Sequence, residues 1–223
     1  MVDNNTQSSL IGIDNITKGF SKAGRIYINS ATAVEREVSF PAFITQFSDN
    51  YNVGWGGDQP FGRTDPVKNY QNTTRQISIS FDILGESRDH AIENFKSLEI
   101  LTTMLYPVFS SAIGTNNKAR TIAAPPLWRI RYANYIQSPL HDKGLLGCVS
   151  GFTFQPKFEV GHFITSDGNL IPLSYSVALQ FQPLHEHPLG YDSSGGRLQD
   201  NWPWGASLNK IADAPVSEGD PSS

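Results

Sequence analysis

The stretch FQPLHEHPLGYD, Phe181 to Asp192, sets three side chains able to ligate a metal or move a proton in consecutive positions. In an extended segment His185 and His187 point to one side and Glu186 to the other, because side chains alternate along a strand. Two imidazoles on one side can share a metal, but a zinc site takes at least a third protein ligand. His90, His141 and His162 stand alone in the chain, and the spacing of helical zinc proteases is absent. Pro183 and Pro188 bracket the segment, which follows directly on a strong strand pattern. The expectation is a pair of strand-exit or interface histidines.

Other chemistries have less support. Cys148 is the single cysteine and sits in the apolar run GLLGCVSGF, so it reads as a small buried hydrophobe. A reactive thiolate needs a basic or helix-N-terminal setting, and nothing near it in sequence supplies one. No nucleophile-elbow pattern is present. The glycines of GWGGDQPFG precede neither a lysine-serine pair nor a helix, so they form no phosphate loop. Asp49, Asp58 and Asp65 are candidates for a carboxylate pair of the glycosidase kind, although solvated turn residues explain them more simply. The expectation is no enzyme, with no catalytic residue, no metal and no cofactor.

The elements that would position any site are mostly strands. RIYIN (Arg25 to Asn29) is the first candidate, and VSFPAFITQF (Val38 to Phe47) the second, with Pro41 demoting it to an edge strand or a bulge. Ser48 to Thr74 reads as a long loop with aromatics at Tyr51, Trp55, Phe61 and Tyr70, packed rather than floppy and suited to pressing on another subunit. RQISISFDIL then alternates Ile77, Ile79, Phe81 and Ile83 with Gln76, Ser78, Ser80 and Asp82, predicting a strand with one buried and one wet face. One helix is predicted over about 86–106, with Ser87 as N-cap, Pro107 as the stop, and an apolar stripe of Ala91, Phe95, Leu98, Met104 and Leu105 flanked by Ile92 and Leu101. Further strands are LWRIRYANYI, GCVSGFTFQPKFEVGHF and LIPLSYSVALQFQPL. In the last, Tyr175, Val177, Leu179 and Phe181 alternate with Ser176, Ala178, Gln180 and Gln182. Asp167-Gly168 between the second and third is a hairpin-turn dipeptide.

The totals agree with a mainly β, antiparallel chain organised as an N-terminal arm (1–30), a β domain (31–190) and a C-terminal extension (191–223). Residues 1–24 hold a short apolar island at Leu10, Ile11 and Ile13, and NWPWG reads as an aromatic anchor near the other end. Of 223 residues 17% are charged, and the formal net charge is -4 without any run of Lys and Arg, which argues against a surface built to grip nucleic acid. The first residues lack the basic and apolar regions of a signal peptide, and no apolar run approaches the roughly 20 residues of a membrane span. A soluble chain made in the cytoplasm is expected.

One stretch carries a resemblance. FGRTDPVKNYQNTTRQISISFDI joins Phe61, Gly62, Arg63, Asp65 and Pro66 to a lead of Tyr70, Gln71, Thr73 and Arg75 into the alternating strand. It resembles the proteins that build the tube at the baseplate end of contractile bacteriophage tails, as tube initiator or tube adaptor. The likeness continues through LTTMLYP, APPLWRIRYANYI, GLLGCVSGFTFQP and SVALQFQPLHEHPLG, roughly residues 38–190.

That resemblance implies a tail-tube-like antiparallel β-barrel or sandwich with one flanking helix. It implies a hexameric ring in the virion, made in the host cytoplasm, with baseplate hub and tail tube proteins as neighbours and no membrane. DNA or a tape measure protein would pass through the lumen without specific binding. Gln76, Ser78, Ser80, Asp82, Ser176, Gln180 and Gln182 become candidate lumen-facing residues. Tyr51, Trp55, Phe61, Arg63, Asp65, Tyr70 and Arg75 become candidate inter-subunit loop residues. Arg129 and Arg131 share a strand face and are expected to pair with carboxylates at a subunit contact. A carbohydrate-binding β-sandwich using Trp55 and Tyr51 is the alternative, and a tail-associated hydrolase the third reading.

Overall fold

The computed structural model describes residues 24–32, 37–110, 120–140, 142–199 and 202–203. Among the described residues the chain is mainly β with one α-helix, and its strands pair antiparallel. Seven of them form a sheet in the order β2-β1-β7-β8-β11-β4-β3: β1 Arg25–Ser30, β2 Glu37–Pro41, β3 Phe43–Asp58, β4 Val67–Leu84, β7 Leu127–Tyr132, β8 Leu145–Pro156 and β11 Ser174–Pro183. Two hairpins stand apart from it, β5 Val108–Phe109 with β6 Ile122–Ala124, and β9 His162–Ile164 with β10 Leu170–Pro172. The latter turns through Asp167 and Gly168, the glycine at φ +80°, as the dipeptide predicts.

The apolar run around Pro41 splits in an informative way. Ala42 alone separates β2 from β3, yet these two strands are the opposite edges of the sheet. Consecutive Cα atoms are about 3.8 Å apart, so the two edges must meet at that corner. The sheet is therefore curled almost onto itself. The Phe40 and Phe81 rings, from β2 and β4, lie 6.4 Å apart across its interior. No ladder joins β2 to β3, so the curl stays open.

Its concave face holds the core. Ile26, Ile28, Val38, Phe40, Ile77, Ile79, Phe81, Trp128, Ile130, Tyr175, Val177, Leu179 and Phe181 are all buried there. β-Branched and aromatic side chains at every second position fit a pleated, half-buried surface. Each is worth roughly 1.5–3 kcal/mol when fully buried, so the alternation itself fixes which way the sheet curls. The helix, α1 Arg88–Met104, lies against β2 and β10 and adds Leu98, Leu101 and Met104 to the core. Ser87 caps it by accepting from the His90 backbone N–H, and the Trp128 indole donates to the Met104 carbonyl at 3.0 Å.

Several expectations are corrected. Asn94 occupies the buried helix face and Phe95 is exposed, because the stripe that meets the sheet runs through Ala91, Asn94, Leu98, Leu101 and Met104. Cys148 lies on the convex face of β8, half-exposed, where alternation from buried Gly147 places it. The arm drawn as 1–30 gives up Arg25–Ser30 to the second strand of the sheet. Residues 1–23, with the Leu10–Ile13 island, lie outside the described residues.

The largest correction concerns Ser48 to Thr74. Those residues are not a loop: they are the outer halves of β3 and β4, joined in a hairpin whose turn is residues 59–66. β4 has 18 residues, about 60 Å at roughly 3.3 Å per residue. Its part outward of Arg75 is an arm of roughly 25 Å, exposed on both faces.

Candidate functional site

Convex and concave faces have different chemistry. The ladder sets Asp82 opposite Phe43 and Ser176, Ser80 opposite Gln46 and Ala178, Ser78 opposite Ser48 and Gln180, and Gln76 opposite Asn50. On the other side of β11, Ser176 meets Gln155, Ala178 meets Thr153, and Gln182 meets Cys148. All seven polar residues singled out from the sequence thus share one face of two adjacent strands. Gln46, Ser48, Asn50, Thr153 and Gln155 extend that face, and the alternation beside Phe47, Phe152 and Phe154 is the signal that could have found them.

This face is nearly free of net charge. Asp82 is its one charged residue over residues 43–50, 76–84, 145–156 and 174–183, and Lys157 pairs with it at 2.7 Å. Further along the same face Arg129 and Arg131 point outward from β7. They were expected to meet carboxylates of another subunit. Arg129 instead pairs with Glu186 of its own chain at 2.9 and 2.7 Å, and Arg131 lies 4.4 Å from the centre of the Tyr27 ring.

The histidine segment resolves accordingly. Alternation continues past β11, so Glu186 turns to Arg129 while His185 and His187 lie on the other side, ring centres 6.1 Å apart. Among the described residues no three His, Cys, Asp or Glu side chains group as metal ligands.

On the concave side, where the arm leaves the core, Arg75 is 3% exposed. Asp49 accepts two hydrogen bonds from it, at 2.8 and 2.7 Å. The guanidinium packs against two rings, 5.4 Å from the centre of Tyr51 and 5.7 Å from that of Trp202. Trp202 in turn meets Tyr51 at 5.7 Å and His185 at 6.1 Å, both edge-on. Trp202 is thus the aromatic anchor that NWPWG suggested. Burial holds His185 below the ordinary imidazole range, helped by Arg75 and His187 and opposed by Asp49. Burial also pushes the Tyr51 phenol up to about 12, Arg75 pulling the other way. Beside this cluster Phe47, Asp49, Tyr51, Tyr135, Trp202 and Pro203 line an open pocket of about 490 Å³.

The seven residues expected as an inter-subunit loop do not act alike. Arg75 and Tyr51 belong to this cluster within the chain. Trp55 and Tyr70 are opposite each other in the ladder, rings 5.7 Å apart and edge-on, each 57% exposed. Phe61, Arg63 and Asp65 are exposed in the turn at the tip, where Gly62 takes φ +84°. Asp58 lies nine residues along β3 from Asp49, about 30 Å in an extended strand. Those two carboxylates cannot flank one glycosidic bond, which needs about 5–9.5 Å. No protein-family model matches the chain, and no curated protein matches it significantly.

Proposed function

We propose that this chain is a structural subunit of the tail tube at the baseplate of a contractile bacteriophage tail. In this reading six copies form a ring that joins the central hub to the tube and continues the channel for DNA or a tape measure protein. The observation that carries the proposal is the convex sheet face, polar and almost without net charge, on a sheet whose edges stay open. DNA carries one negative charge per roughly 1.7 Å of duplex, and a protein grips it by neutralising phosphates. A channel that lets DNA slide must do the opposite, and a wall of Ser, Thr, Gln and Asn does so.

The open edges and the arm support the same reading. An exposed strand edge is an invitation to pair with another chain, and β3 offers one 16 residues long. Joining sheets edge to edge around a ring removes that liability and gives a tail-tube-like barrel of sheets. The arm, with Trp55, Tyr70 and Phe61 uncovered, reaches a neighbouring subunit or the next ring. The number six and the place at the baseplate rest on the resemblance; the face, the edge and the arm rest on the fold.

The exposed Trp55–Tyr70 pair favours a second reading, a carbohydrate-binding module of a tail or baseplate in which a sugar stacks on the arm. The mass of the purified protein at several concentrations, with negative-stain images, separates the two. Rings with a central hole are expected. A monomer at all concentrations that binds a glycan saturably, and loses it in Trp55→Ala, would replace the tube reading with the second.

A further inference from the structure

The strap that follows β11 is tied down in an unusual way. It leaves the sheet at Pro183, turns back on itself through the bridge between Tyr191 and Arg197, and returns with Trp202 seated against His185, Tyr51 and Arg75. The seat is made of ring packing and a cation against aromatic faces, each a modest contact. It also contains a standing polar cost. Arg75 Nη1, His185 Nδ1 and Trp202 Nε1 are buried there, and among the described residues none has a hydrogen-bond partner. A buried donor or acceptor without a partner has lost its bonds to water with nothing in return. A contact so balanced is closed only by a narrow margin.

We propose that the strap is an acid-released latch: a proton on His185 unseats Trp202 from the root of the β3–β4 arm while the sheet stays folded. The charged and titratable groups facing His185 decide the direction. Arg75 of β4 is a buried cation on one side, His187 of its own segment is a second imidazole, and Asp49 of β3, with Tyr51 beside it, supplies the one anion among the described residues. That anion is already held by both guanidinium bonds from Arg75. A second cation in the cluster therefore finds no free counter-charge among the described residues.

Linkage gives the window. The folded state holds the His185 pKa below its unfolded value of about 6.5, so the closed seat binds fewer protons than the open one. Closure is fully favoured above about 6.5 and is lost as pH falls through the folded value. The inference does not depend on ring formation, since every group in it belongs to one chain.

The test is acrylamide quenching of the full-length protein from about pH 8 to pH 5, the wild type compared with Trp202→Phe so that the difference reports Trp202. The quenching slope of that component should rise severalfold below about pH 6.5, reversibly, with the far-UV signal unchanged. In His185→Phe it should stay low to about pH 5. If that variant does not fold, exchange of the buried Trp202 indole N–H in the wild type, corrected for intrinsic rates, should quicken below about pH 6.5 while the amides of β4 stay protected. A Trp202 signal flat to about pH 5, opening of His185→Phe along the wild-type curve, or loss of far-UV signal along that curve would each overturn the latch.

Discussion

Arg129 of β7 and Glu186, three residues past the end of β11, meet in a two-point ion pair at 2.9 and 2.7 Å. The pair answers what a glutamate between two histidines is for. Its carboxylate faces the convex side and neutralises an arginine there, while the imidazoles face the arm root. The segment is thus divided between the two faces of the sheet by ordinary strand alternation.

The two bidentate pairs among the described residues should differ sharply in worth. Arg129–Glu186 is partly exposed, with side chains 18% and 28% accessible, whereas Arg75–Asp49 is nearly dry at 2% and 13%. Glu186→Gln should cost about 0.2–1 kcal/mol in urea unfolding. Arg75→Ala should cost about 3–5 kcal/mol, because it empties a buried guanidinium site and leaves the largely shielded Asp49 carboxylate without its cation. The double change Arg75→Met with Asp49→Leu should recover most of that loss. Equal costs for the two single changes would contradict the burial argument.

Tyr175 is 1% exposed, its phenol has no partner among the described residues, and burial pushes it up to about 12. A raised pKa means the folded state holds the proton longer than the unfolded one, near 10. Stability linked to it is therefore complete below about pH 10 and falls as pH rises toward 12. Tyr175→Phe should remove this alkaline loss and raise stability by about 1 kcal/mol at neutral pH, since it deletes an unsatisfied buried hydroxyl. Chemical unfolding at about pH 7 and pH 10.5 measures both. A destabilised Tyr175→Phe would mean that the hydroxyl has a partner.

Gln180 points outward from the convex face opposite Ser78. Gln180→Lys should leave thermal stability within about 0.5 kcal/mol, as surface changes do. If this face lines a channel, assembled rings of the variant should retain DNA in a salt-dependent way that the wild type does not show. Rings whose DNA retention does not change with Gln180→Lys would place the face away from the lumen.

Trp55 and Tyr70 contribute nothing to the core, so Trp55→Ala and Tyr70→Ala should unfold at nearly the wild-type denaturant midpoint. Assembly should suffer instead, with the ring fraction at a given concentration falling at least severalfold, because aromatics in a contact commonly carry about 2 kcal/mol or more. Ultracentrifugation across a dilution series reads this directly. Unchanged assembly in both variants would remove the arm from the contact.

Local patterns were legible wherever a short-range rule was sufficient. Alternation in β4 and β11, the Ser87 cap and the Asp167-Gly168 turn each depend on residues a few positions apart. The arm was misread for the same reason. SDNYNVGWGG is poor in strand formers, and Gly, Asn and Asp argue locally for a loop. Yet Phe47, Tyr51, Val53 and Trp55 alternate with polar residues through it, and cross-strand pairing with β4 overrides the composition. Asn94 and Phe95 show the same limit on the helix: a stripe can be drawn through either, and only the position of the sheet chooses.

By itself the sequence determined that the described residues are mainly β with one helix, and which side chains of β4 and β11 lie on the polar face. That follows from a period of two, which every residue obeys regardless of its distant partners. The tertiary structure alone decided that β2 and β3 become opposite edges meeting at Ala42, that Arg129 finds Glu186 57 residues away, and that Arg75, Tyr51, His185 and Trp202 form one cluster. Strand order and long-range pairing are set by how the whole apolar face can be buried at once, and no local window of the chain contains that information.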